Sequence, residues 1–269
     1  MVTMLLSFGA ACGVFFLVRF PLGWGTGWSV TASIASFFVL QAWIGVKMRK
    51  RIMASMGAVQ AILAEGQKKL QAKMQRWQMR PPGSVQAAQK ELFNDMSVFV
   101  REAIAKTDEL KRFRLWVPMM DRQIATAKLQ LHWMVKEFDK ADVYMKKAIT
   151  ADPSVAAMKI ARMYMLGAPT EEMRKIYEKK ASLIKRTKNP ILHACYSWVL
   201  VKRNEIDEAF RVLTDAVKSS DSQTIKANHG YLMNNKPERF TNSTLGDQWF
   251  ALHLEEPKVR TQRPRPVYR

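Results

Sequence analysis

The chain has 269 residues, with 43 Lys and Arg side chains against 23 Asp and Glu, and a formal net charge of +20 at pH 7. Such an excess bears on association and solubility rather than on the fold, and the length allows one or two folded units besides any membrane segment. Cys12 and Cys195 cannot form an internal disulfide framework, which excludes the disulfide-stabilised secreted class and indicates a reducing compartment.

Residues 1–46 predict two transmembrane helices joined by a short turn. Residues 2–20 and 30–46 are almost unbroken apolar runs, and the turn between them contains Pro21 and three glycines. A helix needs roughly 20 apolar residues to cross a bilayer core, with a lower limit near 17. A cleaved signal peptide followed by one span and a soluble hydrophobic core are the alternatives. The absence of Lys and Arg from residues 1–18 argues against the signal peptide.

The basic cluster directly after the second run predicts the orientation of this hairpin. Lys47, Arg49, Lys50 and Arg51 follow the apolar run, and short loops rich in Lys and Arg stay on the cytoplasmic side. We therefore expect both termini in the cytoplasm of a bacterial inner membrane, with these four cations against anionic phospholipid.

Small residues recur at four-residue spacing in both runs and predict close contacts between the spans. Gly9 and Gly13 form one such pair in the first run. The second run contains two more, which are Ser29 with Ser33 and Ala32 with Ser36. Small side chains at this spacing let two membrane helices approach closely.

Residues 47–113 predict a basic, antiparallel helical hairpin. The first helix covers 47–80 and ends at the Pro-Pro-Gly sequence of residues 81–83, and Ser84 caps a second helix that reaches about residue 113. Positions alternating three and four residues apart form a seam on each helix. The seams comprise Met56, Val59, Leu63, Gly66, Leu70, Lys73 and Trp77, and Leu92, Met96, Phe99, Ala103, Lys106, Leu110 and Phe113. The hairpin is expected to act as a stalk, as a dimerisation element of a homo-oligomer, or as a cover for the next domain.

An internal repeat follows in residues 114–225. Ala141 and Ala148 lie seven residues apart with Met145 between them, and Pro153 is expected to stop their helix. The same arrangement recurs 68 residues later as Ala209, Leu213 and Ala216. Sixty-eight is twice the 34-residue period of a tetratricopeptide repeat, and on these positions the segment resembles that family. The Trp, Leu-Gly and Tyr positions of the family's first helix are not kept, and a generic helical array is the alternative.

The resemblance implies an all-α fold class, with an α-solenoid whose groove binds peptides or protein surfaces. Lys159, Arg162, Arg174 and Lys175 are the basic residues expected to favour an acidic protein partner if they line that groove. A solvated face is the alternative reading of these cations. Beyond the repeats, residues 226–257 predict a C-terminal cap, and residues 258–269 a basic disordered tail.

Sequence motifs for catalysis or cofactor binding are missing. The chain has no P-loop, no dinucleotide fingerprint, no Gly-x-Ser-x-Gly and no Cys-x-x-Cys, and its four histidines lack metal-ligand spacing. Cys195 and His193 are two residues apart on a helix and point to different sides, so we interpret Cys195 as a buried side chain. We expect a membrane-anchored scaffold without enzymatic activity or cofactor. The alternative is a membrane-tethered protein that binds anionic lipid or nucleic acid, although nucleic acid is disfavoured because no binding motif is present.

Overall fold

The computed structural model describes residues 2–21, 23–79, 83–149, 152–187 and 189–257, and every regular element within them is helical. The predicted all-α class is therefore confirmed for this part of the chain. Two compact units are present, Met1–Ala148 and Ile149–Arg269. The division falls inside the first predicted repeat, since Ala148 belongs to the N-terminal unit and Pro153 to the C-terminal unit. The predicted basic tail, residues 258–269, lies outside the described residues.

The N-terminal unit begins with two long helices, α1 (Val2–Arg19) and α2 (Thr26–Met79). Both contain a stretch that is long and apolar enough to cross a membrane. α2 has 54 residues, so the second apolar run and the predicted helix over 47–80 are one continuous helix. Continuity is expected physically, because no proline interrupts the backbone hydrogen bonds between these two segments.

Small and hydroxyl-bearing residues form the contact between α1 and the first half of α2. Thr3, Ser7 and Ala11 are the buried residues of α1. The Ser7 hydroxyl donates to Gln41 Oε1 (2.9 Å), and the Ser33 hydroxyl donates to the Ala11 carbonyl oxygen (2.6 Å).

The predicted role of Gly9 and Gly13 in this contact is wrong. Both glycines are exposed, and an added Cβ at either position would meet no atom within 4 Å. The face of α1 that turns inward is instead the one whose Ser7 hydroxyl and Ala11 carbonyl are hydrogen-bonded to α2.

The predicted second hairpin is formed by α2 and α3 (Val85–Thr107), and a 3₁₀ helix (Asp108–Phe113) extends α3. The predicted cap is confirmed, since the Ala87 amide donates to the Ser84 hydroxyl oxygen at 3.1 Å. Both seams are confirmed as well, because none of their fourteen positions is exposed. Of the residues 81–83 that were expected to end the first helix, Pro81 and Pro82 lie outside the described residues.

Gly66 and Lys73 both make specific contacts with α3 at the seam. A Cβ on Gly66 would lie 2.7 Å from Cγ and 2.8 Å from Cδ2 of Phe99, so only glycine lets that ring seat against α2. Lys73 pairs with Glu91 and Asp95 of α3, each at 2.5 Å. These carboxylates raise the pKa of Lys73, chiefly through the hydrogen bond that Lys73 donates to Asp95.

The rest of the N-terminal unit consists of α4 (Met120–Met134) and α5 (Phe138–Met145), which pack against each other. Leu131 and Val135 also contact Val59 of α2 and Ala103 of α3 in one apolar core. The helix carrying the first repeat's alanines is shorter than expected, since Ala148 follows it in a turn. Its amide still donates to the Tyr144 carbonyl oxygen at 2.9 Å.

The C-terminal unit consists of helices that pack in sequential pairs. They are α6 (Pro153–Met165), α7 (Thr170–Thr187), α8 (Ile191–Lys202), α9 (Ile206–Ser219), α10 (Gln223–Met233) and the short α11 (Asp247–Phe250). α6 packs on α7, α8 on α9, and α6 also on α8. Pro153 is the first residue of α6, where its missing amide hydrogen costs nothing. It therefore begins a helix, and the expectation that it stops the preceding one is wrong.

The segment after α10 packs against α8. Trp249 of α11 is fully buried, and its ring meets that of Trp198 edge to face at 5.7 Å. Both indole N–H groups donate to the Glu255 carboxylate, each at 2.8 Å. One carboxylate thus joins the end of the described chain to the helix beneath it.

Candidate functional site

A cavity of about 360 Å³ lies between α7, α8 and α9 of the C-terminal unit. Its polar lining includes Arg174, Tyr177, His193, Tyr196, Glu208 and Asp215. α8 explains why polar groups collect here. Residues 191–200 are all buried, so the helix is enclosed on every side, and its His193 and Tyr196 must find partners inside the protein.

Two tyrosines and a histidine form the floor of this cavity. The hydroxyl of Tyr177 and Nδ1 of His193 share a hydrogen bond of 2.7 Å. The rings of Tyr177 and Tyr196 stack with their centroids 4.5 Å apart. Stacking and hydrogen bonding together hold all three side chains in place.

Three buried polar atoms around this floor make no hydrogen bond of standard geometry among the described residues. They are Nε of Arg174, Nε2 of His193 and the hydroxyl oxygen of Tyr196. The Arg174 guanidinium and the Tyr196 hydroxyl still interact with each other, and this interaction raises the pKa of Arg174. A buried polar atom without a partner costs about 1–3 kcal/mol, and this cost applies most clearly to Nε2 of His193.

Burial fixes the protonation states on the floor. It lowers the pKa of His193 to about 4, a shift that the nearby Asp215 carboxylate partly opposes. It also raises the pKa values of Tyr177 and Tyr196. At neutral pH the imidazole is therefore uncharged and both phenols keep their protons.

The tautomer of His193 decides what the floor offers to a ligand. If Tyr177 donates to Nδ1, then Nε2 carries the proton and is a donor, like Nε of Arg174 and the hydroxyl of Tyr196. If Nδ1 donates instead, Nε2 is an acceptor. The floor can thus adapt to a ligand that both donates and accepts, as a peptide group does.

The rim of the cavity carries charges of both signs. Arg174 pairs with Glu171 at 3.2 Å and with Glu208 at 3.8 Å, and Arg211 pairs with Glu208 at 3.6 Å. Asp215 also lines the cavity. This mixed rim favours a neutral or zwitterionic segment over a free anion.

Of the four cations expected to line a groove, Arg174 alone lines this cavity. Lys175, beside it, is exposed, and Lys159 and Arg162 belong to α6. Lys159 lies near Lys180 of α7, whose pKa is lowered by burial and by the charges of Lys179 and Lys159. α6 and α7 therefore carry a second basic surface, separate from the cavity.

The predicted repeat-packing residues are mostly buried. Ala141, Ala209, Leu213 and Ala216 are fully buried, Met145 is nearly so, and Ala148 is half-buried. The four cations predicted at the membrane surface, Lys47, Arg49, Lys50 and Arg51, are exposed on α2 just after its apolar stretch. The Lys47 ammonium lies 4.8 Å from the centre of the Trp43 ring.

Cys195 is buried, which confirms its interpretation. Its Sγ lies 3.5 Å from the Ala157 carbonyl oxygen, and burial raises the pKa of the thiol. A protonated and inaccessible thiol is a poor nucleophile. Within the described ranges, no group of three or more His, Cys, Asp or Glu side chains could hold a metal ion.

Sequence reasoning missed the floor of the cavity, although α8 carries a usable signal. His193 and Tyr196 are polar residues three positions apart in an otherwise apolar helix, so they lie on one face. Polar groups at such positions in a buried helix indicate a hydrogen-bonded site. Their partner Tyr177 could not be inferred, because it comes from another helix.

Comparison with known proteins identifies no relative: no family model, no curated protein and no solved structure matches this chain.

Proposed function

We propose that this protein is a scaffold anchored in the bacterial inner membrane, with both termini in the cytoplasm, that binds a segment of a partner protein in the cavity between α7, α8 and α9. α1 and the first part of α2 form the anchor. The helix pairs from α4 to α9 form tetratricopeptide-like repeats, and the segment after α10 caps them. The protein acts by binding rather than by catalysis.

Exposed apolar side chains support the anchor. Large side chains such as Leu5, Phe16, Phe38 and Val39 are exposed along both apolar stretches. Monomeric soluble proteins rarely expose contiguous apolar patches larger than a few hundred Å². The exposed cations of residues 47–51 follow at once, where headgroups of anionic phospholipid would meet them.

The packing of small residues supports the repeat architecture. In α9, Ala209 and Ala216 are fully buried and Leu213 fills the space between them. Alternate helices also touch, since α6 contacts α8. This is the arrangement expected when helical hairpins stack on one another.

The observation that carries the proposed binding function is the set of three buried atoms in the cavity that make no standard hydrogen bond, above all Nε2 of His193. A peptide segment can satisfy them with its carbonyl and amide groups, and the mixed rim can pair with side chains of either sign. Acidic side chains of the same partner would contact the basic surface around Lys159 and Lys180. There they would offset the repulsion from Lys179 and Lys159 that adds to the effect of burial in lowering the pKa of Lys180.

Photo-crosslinking in intact membranes tests this proposal. A photoreactive residue replaces Arg211 at the cavity rim, and the matched control carries it at Met233, an equally accessible position on α10. We expect a discrete protein adduct at position 211 that is absent at 233. Tyr196→Phe, which removes only the hydroxyl, and Arg174→Lys should each reduce its yield severalfold.

Equal adducts at positions 211 and 233 would contradict the proposal. So would an adduct at position 211 whose yield both variants leave unchanged. In either case the three buried atoms of the cavity would have no part in binding.

A second candidate function is the binding of anionic lipid, which is favoured by a cavity of about 450 Å³ in the N-terminal unit. Arg51, Lys106 and Arg112 are among its lining residues. Arg51 follows the apolar run by five residues, or about 8 Å along the helix, which is within the headgroup layer. Thermal unfolding in nanodiscs tests it, since phosphatidylglycerol should raise the midpoint relative to phosphatidylcholine and Arg112→Gln should abolish the difference.

A further inference from the structure

The loop between the 3₁₀ helix and α4 is apolar and exposed. Residues 115–119, here called the 115–119 loop, are Leu115, Trp116, Val117, Pro118 and Met119. Leu115 is 69% exposed and Met119 is 60% exposed. Leu115 and Met119 therefore add apolar surface to the exterior without packing against the protein core.

The loop lies beside the beginning of α1. The Val2 amide donates to the Leu115 carbonyl oxygen at 3.2 Å. On the other side, Trp116 and Val117 pack against a cluster that contains Ile44 and Met48 of α2. The loop is thus level with the first turn of α1 and with the end of the apolar stretch of α2.

Helix length places this level at the edge of the bilayer. α1 has 18 residues and is about 27 Å long, whereas the hydrocarbon core is about 30 Å thick. A helix this short must use its whole length to cross, so Val2 lies at the boundary of the core. Backbone amides at that depth need an acceptor from the protein, and the Leu115 carbonyl provides one.

The loop is flanked by basic side chains and contains an unusual backbone conformation. Lys111, Arg112 and Arg114 precede it and Arg122 follows it. Lys111 pairs with Asp108 at 2.7 Å, and Arg114 pairs with Asp121. Met119 adopts a left-handed conformation (φ 64°), which is unfavourable for a residue with a Cβ. This conformation occurs at the position where the loop carries an exposed, flexible apolar side chain.

We propose that the 115–119 loop inserts into the cytoplasmic leaflet of the membrane that α1 and α2 span, with Leu115 and Met119 among the upper acyl chains and the flanking cations at anionic headgroups. This inference rests on the proposed membrane anchor. The loop is a second membrane contact, and it holds the start of α4 at the bilayer surface.

The position of the loop selects lipid over a second copy of the chain as the occupant. The loop contacts the first turn of α1 and packs beside Ile44 and Met48 of α2, at the level where the proposed bilayer core ends. An apolar tip at that level, with Arg112 and Arg122 beside it, matches the upper acyl chains below the headgroup layer.

Depth-dependent quenching in proteoliposomes tests the inference. The full chain carries Cys12→Ser, and Leu115→Cys is labelled with an environment-sensitive fluorophore in phosphatidylethanolamine and phosphatidylglycerol vesicles. Cys195 is fully buried and should not react. Phe38→Cys, exposed in the middle of the α2 stretch, and Val143→Cys, exposed on α5, are the comparison sites.

We expect the probe at 115 to be quenched at least twofold more by a nitroxide at lipid carbon 5 than by one at carbon 12, and to be shielded from iodide. The probe at 38 should respond most to carbon 12, and the probe at 143 to iodide alone.

If 115 behaves like 143 while 38 is quenched by lipid, the loop inference is wrong and the anchor stands. If 38 is also open to iodide and unaffected by lipid nitroxides, the anchor itself fails. The probe at 115 could also be shielded from iodide by a second copy of the chain. If this shielding disappears when each vesicle holds only one chain, a second copy covers the loop and the inference is overturned.

Discussion

Replacing Gly66 by alanine tests the packing of α2 on α3. In a helix interior, glycine to alanine normally stabilises by about 1 kcal/mol. At Gly66 the new methyl would lie 2.7 and 2.8 Å from two ring carbons of Phe99 and 3.0 Å from its Cβ. Carbon atoms pack best at about 3.5–4.0 Å, so α3 would have to move away.

The expected magnitude follows from these opposing effects. Overpacking of a well-packed contact costs about 1–3 kcal/mol, because rotating the ring cannot relieve a clash with Cβ. Once the helix-propensity gain is subtracted, Gly66→Ala should destabilise by about 1 kcal/mol. Gly57→Ala is the matched control, since its methyl would meet no atom within 4 Å. It should stabilise the protein by about 1 kcal/mol.

Unfolding of the full chain in mixed micelles, followed by far-UV circular dichroism, measures both variants. The two substitutions should change the free energy of unfolding in opposite directions. In a Phe99→Ala background, Gly66→Ala should no longer destabilise, because the two closest contacts are already gone. If Gly66→Ala and Gly57→Ala stabilise equally, the contact between Gly66 and Phe99 is not tight and this explanation of the seam is wrong.

Three further predictions concern the C-terminal unit. Burial lowers the pKa of His193 from 6.5 to about 4. The free energy of unfolding should therefore fall by about 3 kcal/mol as the pH drops from 6.5 to 4, because the unfolded state takes up the proton first. His193→Asn should flatten this part of a plot of unfolding free energy against pH, and an unchanged slope would refute the burial effect. Glu255→Ala should cost about 2 kcal/mol because it leaves the Trp198 and Trp249 indole donors without their acceptor, whereas Glu255→Gln should cost less. Ala216→Leu should lower stability by about 1–3 kcal/mol in thermal denaturation, and an unchanged midpoint would show that α9 has room at this position.

The sequence predicted those features of the N-terminal unit that depend on local pattern. Apolar length predicted the two long helices, and alternating spacing predicted the seam, since both follow from helix geometry alone. The roles of Gly66 and Lys73 depended on Phe99 and on two carboxylates of another helix, and no local pattern reveals such partners. Gly9 and Gly13 were misassigned for the same reason, because the hydrogen bonds of Ser7 and Ser33 across the helices select the contact face.

The cavity was less predictable than the fold. Arg174 was singled out for its charge, yet its place beside Tyr196 depends on how α7 packs on α8. Tyr177 and His193 are 16 residues apart in the sequence, and no sequence motif predicts their contact. Only the two polar residues of α8 could have been noticed in advance.

The central claim is that α1 and α2 span the inner membrane and leave the rest of the chain in the cytoplasm. Paired reporter fusions in bacteria test it most directly, with green fluorescent protein after the last residue and alkaline phosphatase inserted at Gly25 in the turn. We predict a fluorescent C-terminal fusion and an active phosphatase, because the first reporter works in the cytoplasm and the second only outside it. An inactive phosphatase at Gly25 would contradict the claim. So would a C-terminal fluorescent protein that is dark, together with an active phosphatase when that enzyme is fused at the C-terminus instead.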